Sequence, residues 1–148
     1  MQTTRTLNDG NLLPAIGFGT YPLKGEEAVA AIGTALQAGY RLIDTAVNYR
    51  NEAEVGEAVR RSGIPREQIQ VTSKLPGRDH AYDDAIASVR GSLSRLGLDY
   101  IDLHLIHWPN PRIDKYAQAW QALVDLREQG LVRSIGVSNF SAEHLHRD

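Results

Sequence analysis

Hydrophobic and polar positions along the chain follow two spacings, one typical of short buried strands and one typical of amphipathic helices. Short apolar runs predict five strands, at about residues 15–19, 40–44, 69–74, 101–107 and 132–138. Apolar positions spaced three and four apart predict helices between the strands, at residues 26–38, 51–62, 82–97 and 115–129. A further helix is expected to begin at Ser141, because serine commonly caps helices.

The regular alternation of strands and helices indicates right-handed βαβ units and therefore a parallel sheet. Ahead of this sheet, Asp9 and Gly10 form a turn signal between two short apolar runs, which predicts a hairpin. A sheet of this kind either stays open, as in a doubly wound fold, or closes into a (β/α)8 barrel. The segment GFGTYPLKG lacks the glycine spacing of a dinucleotide-binding turn, which favours the barrel.

The composition narrows the class of protein without identifying its function. The 148 residues are 42% hydrophobic and 23% charged, as in an ordinary globular domain, and the net charge is -2. A charge this small does not attract nucleic acid, and no apolar run approaches the roughly 20 residues of a membrane helix. The absence of cysteine excludes disulfides and thiol chemistry. Since the amino-terminal segment also lacks the apolar core of a signal peptide, we expect a cytoplasmic location.

Polar side chains stand at the carboxyl ends of all five predicted strands. In a barrel these ends share one rim, and the chemistry of such folds collects there. Strand by strand, the residues at the rim are Gly19, Thr20 and Tyr21, then Asp44, then Lys74, then His107 and Trp108, and finally Ser138 and Asn139, with Tyr49 in the loop after the second strand.

Four of these residues, Asp44, Tyr49, Lys74 and His107, are here called the tetrad, and together they can form a proton-donating site. A tyrosine hydroxyl is a weak acid, and a nearby lysine ammonium favours its ionised form. A buried lysine needs a partner, which Asp44 can supply, and a histidine can orient a carbonyl oxygen. The tetrad contains neither a nucleophile nor a metal cage, which suits carbonyl reduction with hydride from a cofactor.

Five segments distributed along the whole chain resemble the successive motifs of the aldo-keto reductase family. They are GFGTY, GYRLIDTAVNYRNEAEVGEAV, VTSKL, DYIDLHLIHWP and IGVSNF. The resemblance implies a (β/α)8 TIM-barrel fold and the reduction of aldehydes or ketones with NADPH, a small-molecule carbonyl being the substrate. It also implies that Tyr49 is the general acid, with Asp44, Lys74 and His107 assisting.

The same resemblance assigns the remaining residues of the rim. Ser138 and Asn139 match positions that hold the nicotinamide carboxamide, whereas Gly19 and Thr20 match backbone contacts near the nicotinamide ribose. Asp44 also belongs to the positions near the cofactor. The positions that line the substrate pocket in the family correspond to Tyr21, Asn48, His107 and Trp108. No metal site is implied.

The length of the chain departs from the family. A complete barrel takes roughly 250 residues, so residues 1–148 are expected to be the amino-terminal part of one domain, with about five βα units and the hairpin. NADH remains an alternative to NADPH, because the family's contacts to the adenosine 2′-phosphate lie in the later part. Two other hypotheses stay open: a non-catalytic relative that binds cofactor, and an inactive half-barrel. The full-length form is expected to be monomeric, whereas the fragment is expected to self-associate through unpaired sheet edges.

Several conspicuous residues are expected to have only structural roles. His104 and His107 are three positions apart on a strand, so they point to opposite faces and do not share a metal. Trp120 lies on the apolar stripe of its helix and is expected in the core. Glu52 and Glu54 are expected to be polar residues of the first turn of a helix, where they suit its dipole.

Overall fold

The computed structural model describes residues 3–146, and its central feature is a five-stranded parallel sheet. Its strands are β3 (Phe18–Gly19), β4 (Leu42–Asp44), β5 (Gln70–Leu75), β6 (Ile101–Ile106) and β7 (Val132–Val137). They pair in the order β3-β4-β5-β6-β7, each beside its neighbour in sequence. This order confirms the barrel-type prediction, because a doubly wound sheet places non-sequential strands side by side.

The predicted hairpin precedes the sheet and covers its amino-terminal end. Strands β1 (Thr4–Thr6) and β2 (Leu12–Pro14) pair antiparallel around a loop in which Gly10 has a φ of +88°. The loop is fastened to β7, because the Ser134 hydroxyl donates a hydrogen bond of 2.6 Å to the Asp9 carboxylate. The hairpin therefore lies at the end of the sheet opposite the predicted rim.

Each connection between neighbouring parallel strands contains a helix. The helices are α1 (Gly25–Gln37), α2 (Glu52–Arg61), α3 (Tyr82–Leu96) and α4 (Tyr116–Glu128), followed by the short α5 (Ala142–Leu145). Their bounds lie close to the predicted ones, and the Ser141 side chain caps α5 as predicted by accepting from the backbone N–H of His144. Residues 147 and 148 of that predicted helix lie outside the described residues. The sequence did not predict the short 3-10 helix Val47–Tyr49 ahead of α2.

The two faces of the sheet differ in what covers them. Ile43 and Val71 are aligned on neighbouring strands, are fully buried, and pack with apolar side chains of α1 to α4 into one core. Because side chains alternate along a strand, Asp44, Thr72 and Lys74 lie on the opposite face. The helices thus bury one face of the sheet, and the tetrad residues of β4 and β5 belong to the other.

One structural expectation is wrong, and a second holds only in part. Trp120 is 40% exposed, because its side chain lines an open groove beside β7, the edge strand of the described sheet. Glu52 and Glu54 lie in the first turn of α2, as expected. Glu52 is nevertheless only 2% exposed, and its carboxylate accepts from the Ser73 hydroxyl at 2.6 Å and from Arg95 Nε at 2.9 Å. A carboxylate can be buried there because both oxygens have partners, one of them a cation.

Within residues 3–146, no helix combines the length and apolar character needed to cross a membrane. Among the same residues, no three histidine, aspartate or glutamate side chains are grouped as they would be around a metal ion. His104 is buried on the helix-covered face, aligned with Ser73, whereas His107 follows the end of β6 at the rim. The two histidines therefore lie apart, as predicted.

Candidate active site

The lysine near the end of β5 contacts three other residues at the rim. Lys74 Nζ lies 2.7 Å from Asp44 Oδ1, 3.0 Å from the carbonyl oxygen of Thr45 and 3.4 Å from the Tyr49 hydroxyl oxygen. The predicted contact between Lys74 and Asp44 is present, and it joins the ends of two neighbouring strands. Tyr49 reaches the same point from the 3-10 helix that follows β4.

Burial strengthens this ion pair, and the two partners are buried to different extents. The Lys74 side chain is 9% exposed, whereas that of Asp44 is 37% exposed. The ammonium also lies 4.9 Å from the centre of the Tyr49 ring, within the range of a cation–π contact. A buried ammonium is costly without compensation, and here a carboxylate, a carbonyl and an aromatic ring supply it. Lys74 is consequently held directly beside the tyrosine hydroxyl.

His107 completes the tetrad from the next strand. Its ring meets that of Tyr49 edge-on at a centroid distance of 5.9 Å and stacks on Trp108 at 6.0 Å. Burial, together with the charge of Lys74, holds the pKa of His107 below its usual value. The imidazole is therefore uncharged at neutral pH, and it can offer an N–H to a carbonyl oxygen.

A buried amide that the sequence did not single out organises the loops around Tyr49. Asn51 is fully buried; its Oδ1 accepts from the Thr45 hydroxyl, and its Nδ2 lies 3.0 Å from both Thr20 Oγ1 and the Leu23 carbonyl oxygen. These bonds join the segments after β3 and β4 to the start of α2. No sequence signal reveals this role, because the partners lie 6, 28 and 31 residues away.

The residues predicted to line a substrate pocket lie around the tetrad and are open to solvent. Tyr21 is 68% exposed and its ring centre lies 5.2 Å from that of Tyr49, whereas Trp108 is 52% exposed beside His107. Asn48, which directly precedes Tyr49, is exposed and accepts a hydrogen bond from Arg78. The structure therefore brings all three close to the candidate acid.

The predicted cofactor positions fall at two separate places on the rim. Ser138 and Asn139 follow β7, where Asn139 Nδ2 donates to the carbonyl oxygen of His107 at 2.9 Å and to Ser138 Oγ at 3.0 Å. Thr20, after β3, is fully buried, and both its backbone N–H and its hydroxyl donate to the carbonyl oxygen of Asp44. Gly19 is exposed, with open space where a side chain would stand.

The chemistry of the Ser138–Asn139 pair fits the carboxamide of a nicotinamide. A hydroxyl and an amide offer both donors and acceptors, which is what a carboxamide needs. Asn139 is held in a left-handed backbone conformation, with a φ of +63°, beside His107. The open space at Gly19 would likewise allow a ring system to approach the backbone.

The sequence profile of the Aldo/keto reductase family matches residues 15–147. Among curated proteins, the chain is 57% identical over 142 residues to 2,5-diketo-D-gluconic acid reductase B of Corynebacterium sp. (strain SHS752001). The match covers 96% of this chain and 51% of that protein, so the chain spans about half the length of this relative.

Solved structures give the same result. The aldo/keto reductase of Brucella melitensis superposes with a TM-score of 0.96 at 47% identity, covering 99% of this chain and 57% of that chain. The Bombyx mori aldo-keto reductase in complex with NADP superposes with a TM-score of 0.90 at 40% identity, covering 99% of this chain and 53% of that chain.

Proposed function

The chain belongs to the aldo/keto reductase family, and from that premise we propose that it takes part in the NADPH-dependent reduction of aldehydes and ketones to alcohols. The observation that carries the proposal is the contact of the buried Lys74 ammonium with both Asp44 and the Tyr49 hydroxyl. Because the chain spans about half of its relatives, the activity is proposed for the barrel of which these residues form a part.

In the proposed mechanism Tyr49 is the general acid. The carbonyl oxygen of the substrate accepts hydrogen bonds from the Tyr49 hydroxyl and from the uncharged His107, and Tyr49 transfers its proton as negative charge develops on that oxygen. Lys74 stabilises the phenolate left behind, and Asp44 keeps the ammonium in place. Tyr21, Asn48 and Trp108 would surround the rest of the substrate.

The cofactor proposed is NADPH, which when bound supplies the hydride. Support comes from the NADP complex of the Bombyx mori relative and from the donor and acceptor groups of Ser138 and Asn139. These two residues would hold the carboxamide, with the backbone at Gly19 and Thr20 near the ribose. The name of the Corynebacterium relative makes keto sugar acids the first substrates to test. The cytoplasm is the proposed location, since the chain contains no cysteine.

The test is Tyr49→Phe, which removes one hydroxyl and keeps the ring. It is made in this chain and in a chimera in which residues 1–146 are followed by the carboxy-terminal half of the Corynebacterium relative. We expect reduction of a reactive aldehyde to fall by about 10²–10⁴-fold, because a positioned acid is lost. NADPH affinity, measured by fluorescence titration, should differ from that of the wild type by less than about twofold. The loss of a hydrogen bond to the cofactor would have a larger effect.

Tyr100→Phe is the matched control. Tyr100 precedes β6 at the other end of the sheet, and its ring lies between the guanidinium groups of Arg66 and Arg133. This variant should retain wild-type turnover. If Tyr49→Phe kept wild-type turnover, Tyr49 would not be the general acid. NADPH binding without turnover in the wild-type chimera would instead favour the non-catalytic alternative.

A further inference from the structure

The loop after β5 holds one cation in a fixed place beside the candidate acid. The turn Gly77–Asp79 begins after the buried Pro76 and ends at His80, which is fully buried. Asn110 Nδ2 donates to the Gly77 carbonyl oxygen at 2.9 Å, and the Asp79 N–H donates to that of Pro76 at 3.1 Å. The backbone on both sides of Arg78 is therefore anchored.

The Arg78 side chain extends from this turn to the loop that carries Tyr49. Its Nη1 donates to Asn48 Oδ1 at 2.8 Å, and Asn48 directly precedes Tyr49 in the chain. A guanidinium has five N–H donors, so this contact leaves others for a ligand. Arg78 is exposed, and it takes part in none of the ion pairs formed within residues 3–146.

The charge of Arg78 is neutralised by no ion pair formed within residues 3–146, although the Asp79 carboxylate follows it in the chain. Asp44 and Lys74 neutralise each other at 2.7 Å, and His107 is uncharged at neutral pH because burial lowers its pKa. Arg50, which directly follows Tyr49, is a second exposed cation. Two exposed cations, Arg50 and Arg78, therefore accompany one neighbouring carboxylate, Asp79, and this excess of positive charge favours an anionic ligand.

We propose that Arg78 is a specificity-determining residue that selects carbonyl substrates carrying a carboxylate. The inference rests on the proposed function, since it assigns a substrate class to the same site. Arg78 would bind the carboxylate with the N–H groups that Asn48 does not occupy, while the carbonyl group reaches Tyr49. A guanidinium matches a carboxylate in geometry as well as in charge, so the contact would orient the substrate as well as attract it.

The experiment compares a substrate that carries a carboxylate with its uncharged methyl ester. 4-Oxobutanoate carries a carboxylate, and its methyl ester has the same carbon chain without it. In this chain and in the chimera, Arg78→Gln should lower kcat/KM for 4-oxobutanoate by about 10- to 100-fold, mainly through KM, because a charge-assisted hydrogen bond is lost. The methyl ester should change by less than about twofold, since it has no negative charge for the guanidinium to pair with. Arg78→Lys should restore only part of the loss, because it keeps the charge without the planar fork.

Arg50→Gln is the control for charge alone, since it removes the same charge from the neighbouring loop. Equal losses in Arg50→Gln and Arg78→Gln would overturn the inference in favour of a general attraction. A parallel loss for the methyl ester, or weaker NADPH binding, would overturn it by assigning Arg78 to the cofactor or to the fold.

Different results would contradict the proposed function and this inference. If the wild-type proteins reduce neither compound, the proposed function fails, and titration with succinate, which cannot be reduced, still tests Arg78. We expect Arg78→Gln to weaken succinate binding by at least about tenfold, because a charge-assisted contact is lost. Unchanged succinate binding would contradict the role of Arg78.

Discussion

At the scale of the residue, the most informative side chains are polar groups buried away from solvent. Asn51 and Glu52 are adjacent, both are almost fully buried, and their partners come from distant parts of the chain. Asn51 orders the loops on the rim, whereas Glu52 joins α2 to Ser73, the residue before Lys74, and to Arg95 of α3. A buried polar group is tolerated only when it is paired, so these residues specify the arrangement of loops and helices around the tetrad.

A third buried residue, His104, predicts how stability depends on pH. His104 is fully buried in the helix-covered face, and burial, with a further effect of the Lys74 charge, lowers its pKa to about 3. Below about pH 6.5 the unfolded chain binds a proton at this position, whereas the folded chain does not until about pH 3. In this window the contribution of His104 to the free energy of unfolding therefore decreases as the pH falls.

His104→Leu should remove this contribution. Between pH 6 and pH 4, the free energy of unfolding of the wild type should fall more steeply than that of the variant, by up to about 1.4 kcal/mol per pH unit. Denaturant titrations at several pH values measure the two slopes. His146→Gln, at an exposed position, should keep the wild-type slope. Equal slopes for the wild type and His104→Leu would show that His104 is protonated in the folded chain.

At the scale of the element, one glycine sets how closely two helices approach. Gly56 lies in α2, and a Cβ at this position would stand 1.9 Å from the backbone carbonyl oxygen of Leu96, the last residue of α3. The same carbonyl oxygen accepts a hydrogen bond of 2.8 Å from Arg60 Nη1. Only a residue without a side chain permits this contact, which brings α2 and α3 together behind β4 and β5.

Gly56→Ala should therefore destabilise the protein even though alanine favours helices. The added methyl group forces the helices apart, and we expect a net loss of about 1–3 kcal/mol in the free energy of unfolding. Gly33→Ala in α1 is the matched control, because it has open space around the added Cβ. The free energy of unfolding of that variant should increase by about 0.5–1 kcal/mol from helix propensity alone. Denaturant midpoints that shift in the same direction for both variants would contradict the close-contact explanation.

At the scale of the whole molecule, the described chain has an uncovered side. The edges β3 and β7 each have only one neighbouring strand in the described sheet. Beside β7 lies a groove of about 690 Å³ whose apolar lining comes from Tyr116, Trp120, Ile135, Val137, Phe140 and Leu145. Exposed strand edges and contiguous apolar surface both promote association.

We expect the chain on its own to self-associate, and the chimera with the second half of the Corynebacterium relative to be monomeric. Light scattering coupled to size exclusion, over a range of concentrations, measures both. Trp120→Glu should reduce the association, whereas Gln121→Glu, which adds the same charge at the next position, should reduce it less. A chain that stays monomeric at high micromolar concentration would show that its edges are protected.

Much of the site was predictable from the sequence because its residues stand at strand ends. Asp44, Lys74 and His107 each close or directly follow a strand, and parallel strands in sequential order bring such positions together without further information. The order of strands and helices was predictable for a similar reason, since hydrophobic spacing is a local property of each element. The sequence alone therefore determined the strands, the main helices, their likeness to the family and the identity of the tetrad residues, but not the 3-10 helix that positions Tyr49.

Tertiary structure decided whatever depends on contacts between distant segments. Hydrophobic periodicity placed Trp120 in the core, yet Trp120 is exposed beside the edge strand. Glu52 lies in the first turn of a helix, as predicted, but its burial with two partners was not predictable. The hydrogen bonds of Asn51 to Thr20 and Leu23, and the contact between Arg78 and Asn48, likewise join loops that are 28 to 31 residues apart in the chain. Periodicity reports which side of an element is apolar, but only packing determines what covers that side and which polar group lies opposite.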